Sequence, residues 1–310
     1  MYKVFVNTWN VGGVTPVDDL NMEDLLDTDI DSCDIYVFGF QEIVPLSAKN
    51  ILGPEKTSVC NKWNTLIESA LNKSISTSPR SHEHRERQKV HPVKEANSEE
   101  EEEEEGGDER EFRCMVSKQM VGIFVSVWVR EGLRGHIRHM SVSCVGCGIM
   151  GCLGNKGSVT VRFHLHETSL CFVCCHLASG GKAGDEIRRN LDAAEILSRT
   201  SFSRGASHDL PRRILDHDRI IWFGDLNYRI SLLEAKTRLL VDRKEWNTLL
   251  ERDQLRLEVT EGQTFEGWQE GAIGFSPTYK YYPNSNKYYG SSLGRKGEKR
   301  RAPAWLVSAN

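Results

Sequence analysis

Trp222-Phe-Gly-Asp-Leu-Asn-Tyr-Arg229 closes an apolar run, Ile220 to Phe223, with an acid and an amide two residues apart. The apolar run predicts a buried strand. Strand side chains repeat every two residues, so Asp225 and Asn227 point the same way if the chain stays extended. A carboxylate able to accept a proton then stands beside an amide able to hold a water or an oxyanion.

Outward from this stretch, strands are predicted at Lys3 to Trp9, Ile35 to Phe40, Met120 to Val129, Ile137 to Val145, Ser158 to His166 and Leu170 to His176. Val125, Val127 and Val129 share one face, as in a sheet covered on at least one side. Only Glu167-Thr-Ser169 lies between the last two runs, which predicts an antiparallel hairpin. Helices are predicted over Cys60 to Leu71, with Trp63, Ile67 and Leu71 at four-residue spacing, and over Asp185 to Arg199, with Ile187, Leu191 and Ala194 on one face. Ser231 and Glu234 suggest a capping box opening another helix. Hairpins mixed with helices argue for an α/β fold of stacked mixed β-sheets flanked by helices, and against a doubly wound parallel sheet.

The 310 residues, 39% hydrophobic, suffice for one large domain or two small ones. No run approaches the ~20 apolar residues of a membrane span, and the first residues predict a strand rather than a leader. Nine cysteines scattered through apolar strands point to buried thiols in a reducing, cytoplasmic setting. Ser74 to Arg110 is polar and contains Pro79, Pro92 and much of an acidic run, so a disordered insertion 74–110 inside one domain, 1–310, is expected. Glu99 to Glu111 holds ten acids and one base, a local −9 within a whole-chain −4, so the remainder is near +5. A mildly basic folded part suits an anionic ligand, although such imbalance also serves solubility.

Gly146-Cys-Gly148-Ile-Met-Gly151 spells the dinucleotide fingerprint, but Gly154-Asn-Lys-Gly157 and a strand follow it, not a helix to hold a pyrophosphate. Cys144-x-x-Cys147 with Cys171-x-x-Cys174 spells a zinc pattern. Residues three apart in an extended run face opposite sides, so Cys171 and Cys174 do not easily share one metal. The residues just past the strands carry more information. Asn10, Glu42, His176 and Asp225 each follow or end an apolar run, and in stacked sheets such ends gather at one rim. Glu42 with Asn10 offers hard oxygen ligands for magnesium, which takes a carboxylate, waters and substrate phosphate. Asp225 would orient and deprotonate a water, and His176 would donate to a phosphoryl oxygen. Pro277-Thr-Tyr-Lys280 and Lys299-Arg-Arg301 add a phenol and cations able to grip a second phosphate. The combination points to metal-assisted phosphoester hydrolysis.

Thr8-Trp-Asn-Val-Gly-Gly13, Phe38-Gly-Phe-Gln-Glu-Ile-Val-Pro-Leu46, Gly154-Asn-Lys-Gly-Ser-Val159, Cys175-His-Leu-Ala-Ser-Gly180, Arg188-Arg-Asn-Leu-Asp192, Trp222 to Arg229 and Phe275-Ser-Pro-Thr-Tyr-Lys-Tyr281 follow one another in order. As a set they resemble the plant inositol polyphosphate 5-phosphatases of the endonuclease/exonuclease/phosphatase superfamily, over nearly the whole chain except Ser74 to Arg110. The resemblance implies a four-layer α/β sandwich and magnesium-dependent removal of the 5-phosphate of inositol polyphosphates or phosphoinositides. It implies Asn10 and Glu42 at the metal, His176 at the scissile phosphate, Asp225 activating water and Asn227 orienting it. Tyr279, Lys280, Lys299 and Arg301 would bind the neighbouring 4-phosphate, with Asn155 and Lys156 near the 1-phosphate. Expected partners are inositol phosphates or phosphoinositide headgroups, with transient membrane contact and no nucleic acid.

After Trp305 the chain leaves the pattern: Leu306-Val-Ser-Ala-Asn310 has no counterpart, nor has the family's Asp-His pair. A sandwich lacking its last elements is expected, with an unpaired sheet edge. Two alternatives therefore stand beside the phosphatase: a catalytically weak or inactive phosphoinositide-binding relative, and a nuclease of the same superfamily.

Overall fold

The computed structural model describes residues 1–26, 33–73, 111–203, 210–282, 285–290, 302–305 and 307–309. The expected insertion 74–110 lies outside the described residues, as do Lys299 and Arg301. The strands are β1 (Val4–Asn10), β2 (Ile35–Gln41), β3 (Phe112–Met120), β4 (Ile123–Arg130), β5 (Ile137–Gly146), β6 (Gly157–Leu165), β7 (Thr168–His176), β8 (Arg219–Asp225) and β9 (Val307–Ala309). The helices are α1 (Glu23–Leu26), α2 (Ala48–Leu52), α3 (Thr57–Leu71), α4 (Asp185–Arg199), α5 (Glu234–Asp242), α6 (Trp246–Leu250) and α7 (Gln254–Thr260). One sheet has the order β1-β2-β4-β3 and the other β5-β6-β7-β8-β9. Both are mixed: β1 and β2 are parallel, as are β7 and β8, and the remaining pairs are antiparallel.

Alternation along β2 explains the layering. Ile35 and Val37 face the second sheet, where they meet Val159, Val161, Phe163, Phe172, Cys174 and Phe223. Tyr36, Phe38 and Phe40 face the other way, onto Cys60, Trp63, Leu66, Ile67 and Leu71 of α3. On the far side, Cys171, Val173 and Cys175 of β7 pack with Ala193 and Ile196 of α4. The order helix, sheet, sheet, helix is the expected sandwich, and the 158–176 hairpin is in place. Cys171 and Cys174 face opposite layers, as their spacing required. Gly39 leaves room for the second sheet: a Cβ there would stand 2.5 Å from the Phe223 ring and 2.6 Å from Cys174 Sγ.

Several expectations are corrected. Strand β3 went unpredicted because it lies at a sheet edge, and much of its length is half-exposed and polar. The buried face of α4 is Arg189, Ala193 and Ile196, whereas Ile187 and Leu191 are 58% and 63% exposed. Apolar spacing pointed the wrong way there because Arg189 is drawn inward by backbone carbonyls. Ser231 does not cap α5. Its N–H is committed to Arg252 O at 2.7 Å, and Glu234 instead pairs with Arg238 within the helix at 2.9 Å. The edge of β8 is not bare: Val307–Ala309 pairs antiparallel with Phe223–Asp225.

Trp63 is 1% exposed and stacks on Phe40 at a ring-centroid distance of 4.4 Å. Trp63→Ala is expected to cost about 3–5 kcal/mol, read from the shift in urea midpoint. A loss below about 1 kcal/mol would show that α3 is not anchored through this ring.

Asp253 caps α7 by accepting the Arg256 N–H at 3.1 Å, and burial pushes its carboxyl up to about 7. The raised folded value means that the native state holds this proton more tightly than the unfolded chain. Stability should therefore fall as pH rises from about 4, the unfolded value, to about 7. Asp253→Asn, which retains the cap, should flatten that part of the Tm-versus-pH curve; an unchanged curve would assign the slope to other groups.

Candidate active site

Strand register sets the site. In the parallel pair β1/β2, Asn10 stands opposite Gln41; in β7/β8, His176 stands opposite Asp225. Both pairs end on the same rim of the sandwich. Gln41 is buried there and joins the sheets, its Nε2 donating to Thr8 Oγ1 at 3.1 Å and to Cys174 Sγ at 3.4 Å.

Beyond the strand ends the backbone bends sharply. Glu42 has φ +54° and Asn227 φ +60°. Left-handed non-glycine residues cost of order 1–3 kcal/mol and collect at functional sites. Around Glu42, Gly13 N donates to Glu42 O at 2.7 Å and Ile43 N to Gly122 O at 3.1 Å. Asn227 tolerates the bend because its N–H turns back onto Asp225 Oδ1 at 3.1 Å. The chain is therefore not extended through Asp225 and Asn227, and the expectation of two parallel side chains is corrected. Asn227 Nδ2 donates to Leu177 O at 3.0 Å, and its Oδ1 accepts from Arg229 at 3.1 Å. Its amide ties the β7 and β8 loops together.

Asn10 Nδ2 crosses between the sheets, donating to Asp225 Oδ2 at 2.8 Å and to Glu42 Oε1 at 3.3 Å. His176 Nε2 lies 3.4 Å from Asp225 Oδ2 and 3.9 Å from Glu42 Oε1, and the Lys156 ammonium donates to it. Burial, followed by the Lys156 charge, holds His176 well below the ordinary imidazole range, so the ring is neutral near pH 7. Burial likewise lowers Lys156, against the pull of Asp225 and Glu42. Burial raises Asp225, with Lys156 and Asn10 opposing. Two carboxylates, one cation and one neutral imidazole thus share a small desolvated volume.

The Glu42 side chain is 31% exposed, and Oε2 bears no protein partner among the described residues. Among the described residues Asn10 Oδ1 accepts only the Gly12 N–H, at 3.0 Å, leaving one lone pair. An open carboxylate oxygen and an amide oxygen are hard donors that suit a small divalent cation. Among the described residues no three His, Cys, Asp or Glu side chains form a ligand cluster, so such an ion would draw its other ligands from water and substrate.

The structure thus brings together Asn10, Glu42, Lys156, His176, Asp225 and Asn227. Lys156 sits at the centre, on His176. Asn155 holds its own loop, accepting Ile149 N at 3.3 Å. Tyr279 is joined to the centre by Arg229, which lies 4.5 Å over its ring while bonding Asn227. Tyr279 is fixed by paired backbone bonds with Ala304, at 3.0 and 3.1 Å, so Pro303-Ala-Trp305 secures this segment. Lys280 is exposed, its ammonium 5.1 Å over the Tyr289 ring. Arg229 was missed from the sequence, although it ends the stretch that opened the reading; nothing local shows that its guanidinium turns back.

Residues 7–306 match the model of the endonuclease/exonuclease/phosphatase family 2. The chain is 60% identical to the type IV inositol polyphosphate 5-phosphatase 9 of Arabidopsis thaliana, over 98% of this chain and 69% of that protein. It is 50% identical to the type I enzyme 8 of the same plant, over 98% of this chain and 63% of that protein. It thus spans about two thirds of the length of these relatives. Among solved structures it is similar to the inositol polyphosphate 5-phosphatase domain of SPsynaptojanin, in complex with inositol (1,4)-bisphosphate and calcium ion. That likeness has a TM-score of 0.75 and 28% identity, over 99% of this chain and 75% of that one. The chain belongs to the inositol polyphosphate 5-phosphatases of the endonuclease/exonuclease/phosphatase family.

Proposed function

We propose that this protein hydrolyses the 5-phosphate of inositol polyphosphates or phosphoinositide headgroups with magnesium. The observation that carries the reading is the convergence of Asn10, Glu42, Lys156, His176 and Asp225, from strand ends and loops of both sheets, within hydrogen-bonding reach of one another. A phosphate dianion entering the rim meets the Lys156 cation, and His176 is held against that ammonium. Asp225 accepts the proton of the attacking water as the water oxygen bonds to phosphorus. The bond from phosphorus to the inositol oxygen breaks, the proton taken up by Asp225 passes to that oxygen, and the products are the inositol hydroxyl and inorganic phosphate. Asn227 holds Asp225 through its backbone N–H, which makes it a positioning residue. Glu42 and Asn10 would hold the magnesium ion, which when bound neutralises charge on the phosphoryl oxygens.

Tyr279 and Lys280 extend the site toward a neighbouring phosphate, with Arg229 fixing the Tyr279 ring. A bilayer-borne headgroup reaches the same rim as a soluble one, with transient peripheral contact. All nine cysteines are free thiols, which fits a reducing, cytoplasmic setting.

The deciding experiment is phosphate release from inositol 1,4,5-trisphosphate by purified protein, with magnesium and with EDTA. Magnesium-dependent release, lost in EDTA, is expected; no release from any 5-phosphorylated inositol would reject the reading. Asp225→Ala should lower kcat by about 10²–10⁴ and alter KM far less, because a proton acceptor acts in the transition state. A variant that raised KM alone would make Asp225 a binding group instead.

Lys280→Ala should raise KM about tenfold for substrates bearing a 4-phosphate, the order expected for one charge-assisted contact. Equal effects on substrates with and without that phosphate would reject this assignment.

A further inference from the structure

Arg188-Arg-Asn-Leu-Asp192 has no part in the chemistry above, yet its side chains grip the site from behind. Arg189 on α4 is fully buried, and no carboxylate hydrogen-bonds to it among the described residues. Such a cation is costly to desolvate, so its partners must be worth holding. One guanidinium nitrogen donates to Gly180 O at 3.2 Å and to Ala178 O at 3.5 Å, in the loop directly after His176. The other donates to Gln254 Oε1 at 2.8 Å. That same oxygen accepts the Arg229 N–H at 2.8 Å, in the loop directly after Asp225. Asp192, one turn along α4, accepts the Ala178 N–H at 2.7 Å, and the Arg189 guanidinium lies 5.2 Å over the Tyr228 ring.

Resting on the phosphatase reading, we propose that Arg189 and Gln254 are positioning residues. They form a clasp that sets the His176 loop against the Asp225 loop. The single amide oxygen of Gln254 is shared by the two loops, beside the Asn227 bridge, so loosening either partner slackens both. A reacting centre held within a few tenths of an ångström is sensitive to such slack, because small misplacement lowers turnover more than binding. Arg is required over Lys because its planar fork reaches two carbonyls and an amide at once.

The test combines kinetics with amide hydrogen exchange of the 177–181 segment, which Gln254 does not itself hydrogen-bond. In Gln254→Ala, exchange across 177–181 should quicken about tenfold through release of Arg189. In the same variant kcat should fall about tenfold with KM within about twofold of wild type. Gln254→Glu keeps an acceptor for both donors and should retain native exchange there. Arg189→Lys should behave as Gln254→Ala does, and it serves if that variant fails to fold. Unchanged exchange over 177–181 in the loosened variants overturns the clasp. So does quickened exchange with kcat unchanged, or an equal loss in Gln254→Glu. If wild-type protein releases no phosphate, the phosphatase reading fails on its own, and the exchange arm alone decides whether the loops are coupled.

Discussion

The structure depends on two mixed sheets pressed face to face through an apolar seam, each with one parallel strand pair ending on the same rim. Ile35, Val37, Val125 and Val127 on one side and Val159, Val161, Phe172 and Phe223 on the other fill the seam. Gly39 lets the sheets close where the seam meets the rim. Parallel pairing carries successive strand ends to one edge, so β1, β2, β7 and β8 deliver Asn10, Gln41, His176 and Asp225 there. The hydrogen bond from Asn10 to Asp225 then spans the sheets at that rim. A sliding error of one residue in either pair would turn these side chains to the opposite face.

Electrostatic economy at the centre follows from this closeness. Asp225 and Glu42 would repel without the Asn10 amide and the Lys156 ammonium between them. Burial, followed by the Lys156 charge, lowers His176, and Asp225 and Glu42 oppose the lowering that burial imposes on Lys156. The groups balance as a set, so a change of charge at one is felt by all of them. Such an arrangement requires walls that do not relax, which is the work of the loops behind it.

Those loops are held by polar contacts that a core of this size could otherwise have avoided. The Asn227 amide bridges Leu177 and Arg229, and the α4 side chains reach the same loop from the other side. The segment around Tyr279 has a comparable support: Ala304 pairs with Tyr279, and Trp305 donates to Phe275 O at 3.1 Å while packing edge-on against Trp246. Chain beyond the familiar Pro-Ala-Trp still completes part of the second sheet, since β9 needs only backbone groups to pair with β8. Backbone pairing is indifferent to side-chain identity.

By itself the sequence determined the strands with strong apolar alternation, the hairpin of β6 and β7, the helix Asp185–Arg199 and the polar residues at the strand ends. Those signals are local: side-chain period and turn length are set within a few residues. The edge strand β3 escaped because half-polar alternation is a weak signal, and the inward face of α4 was misjudged because its buried arginine answers to distant carbonyls. The motifs named most of the site, but not the turn at Asn227, the central seat of Lys156 or the return of Arg229 onto Tyr279. Each of these depends on a partner far away in the chain, and only closing the two sheets brings such partners within reach.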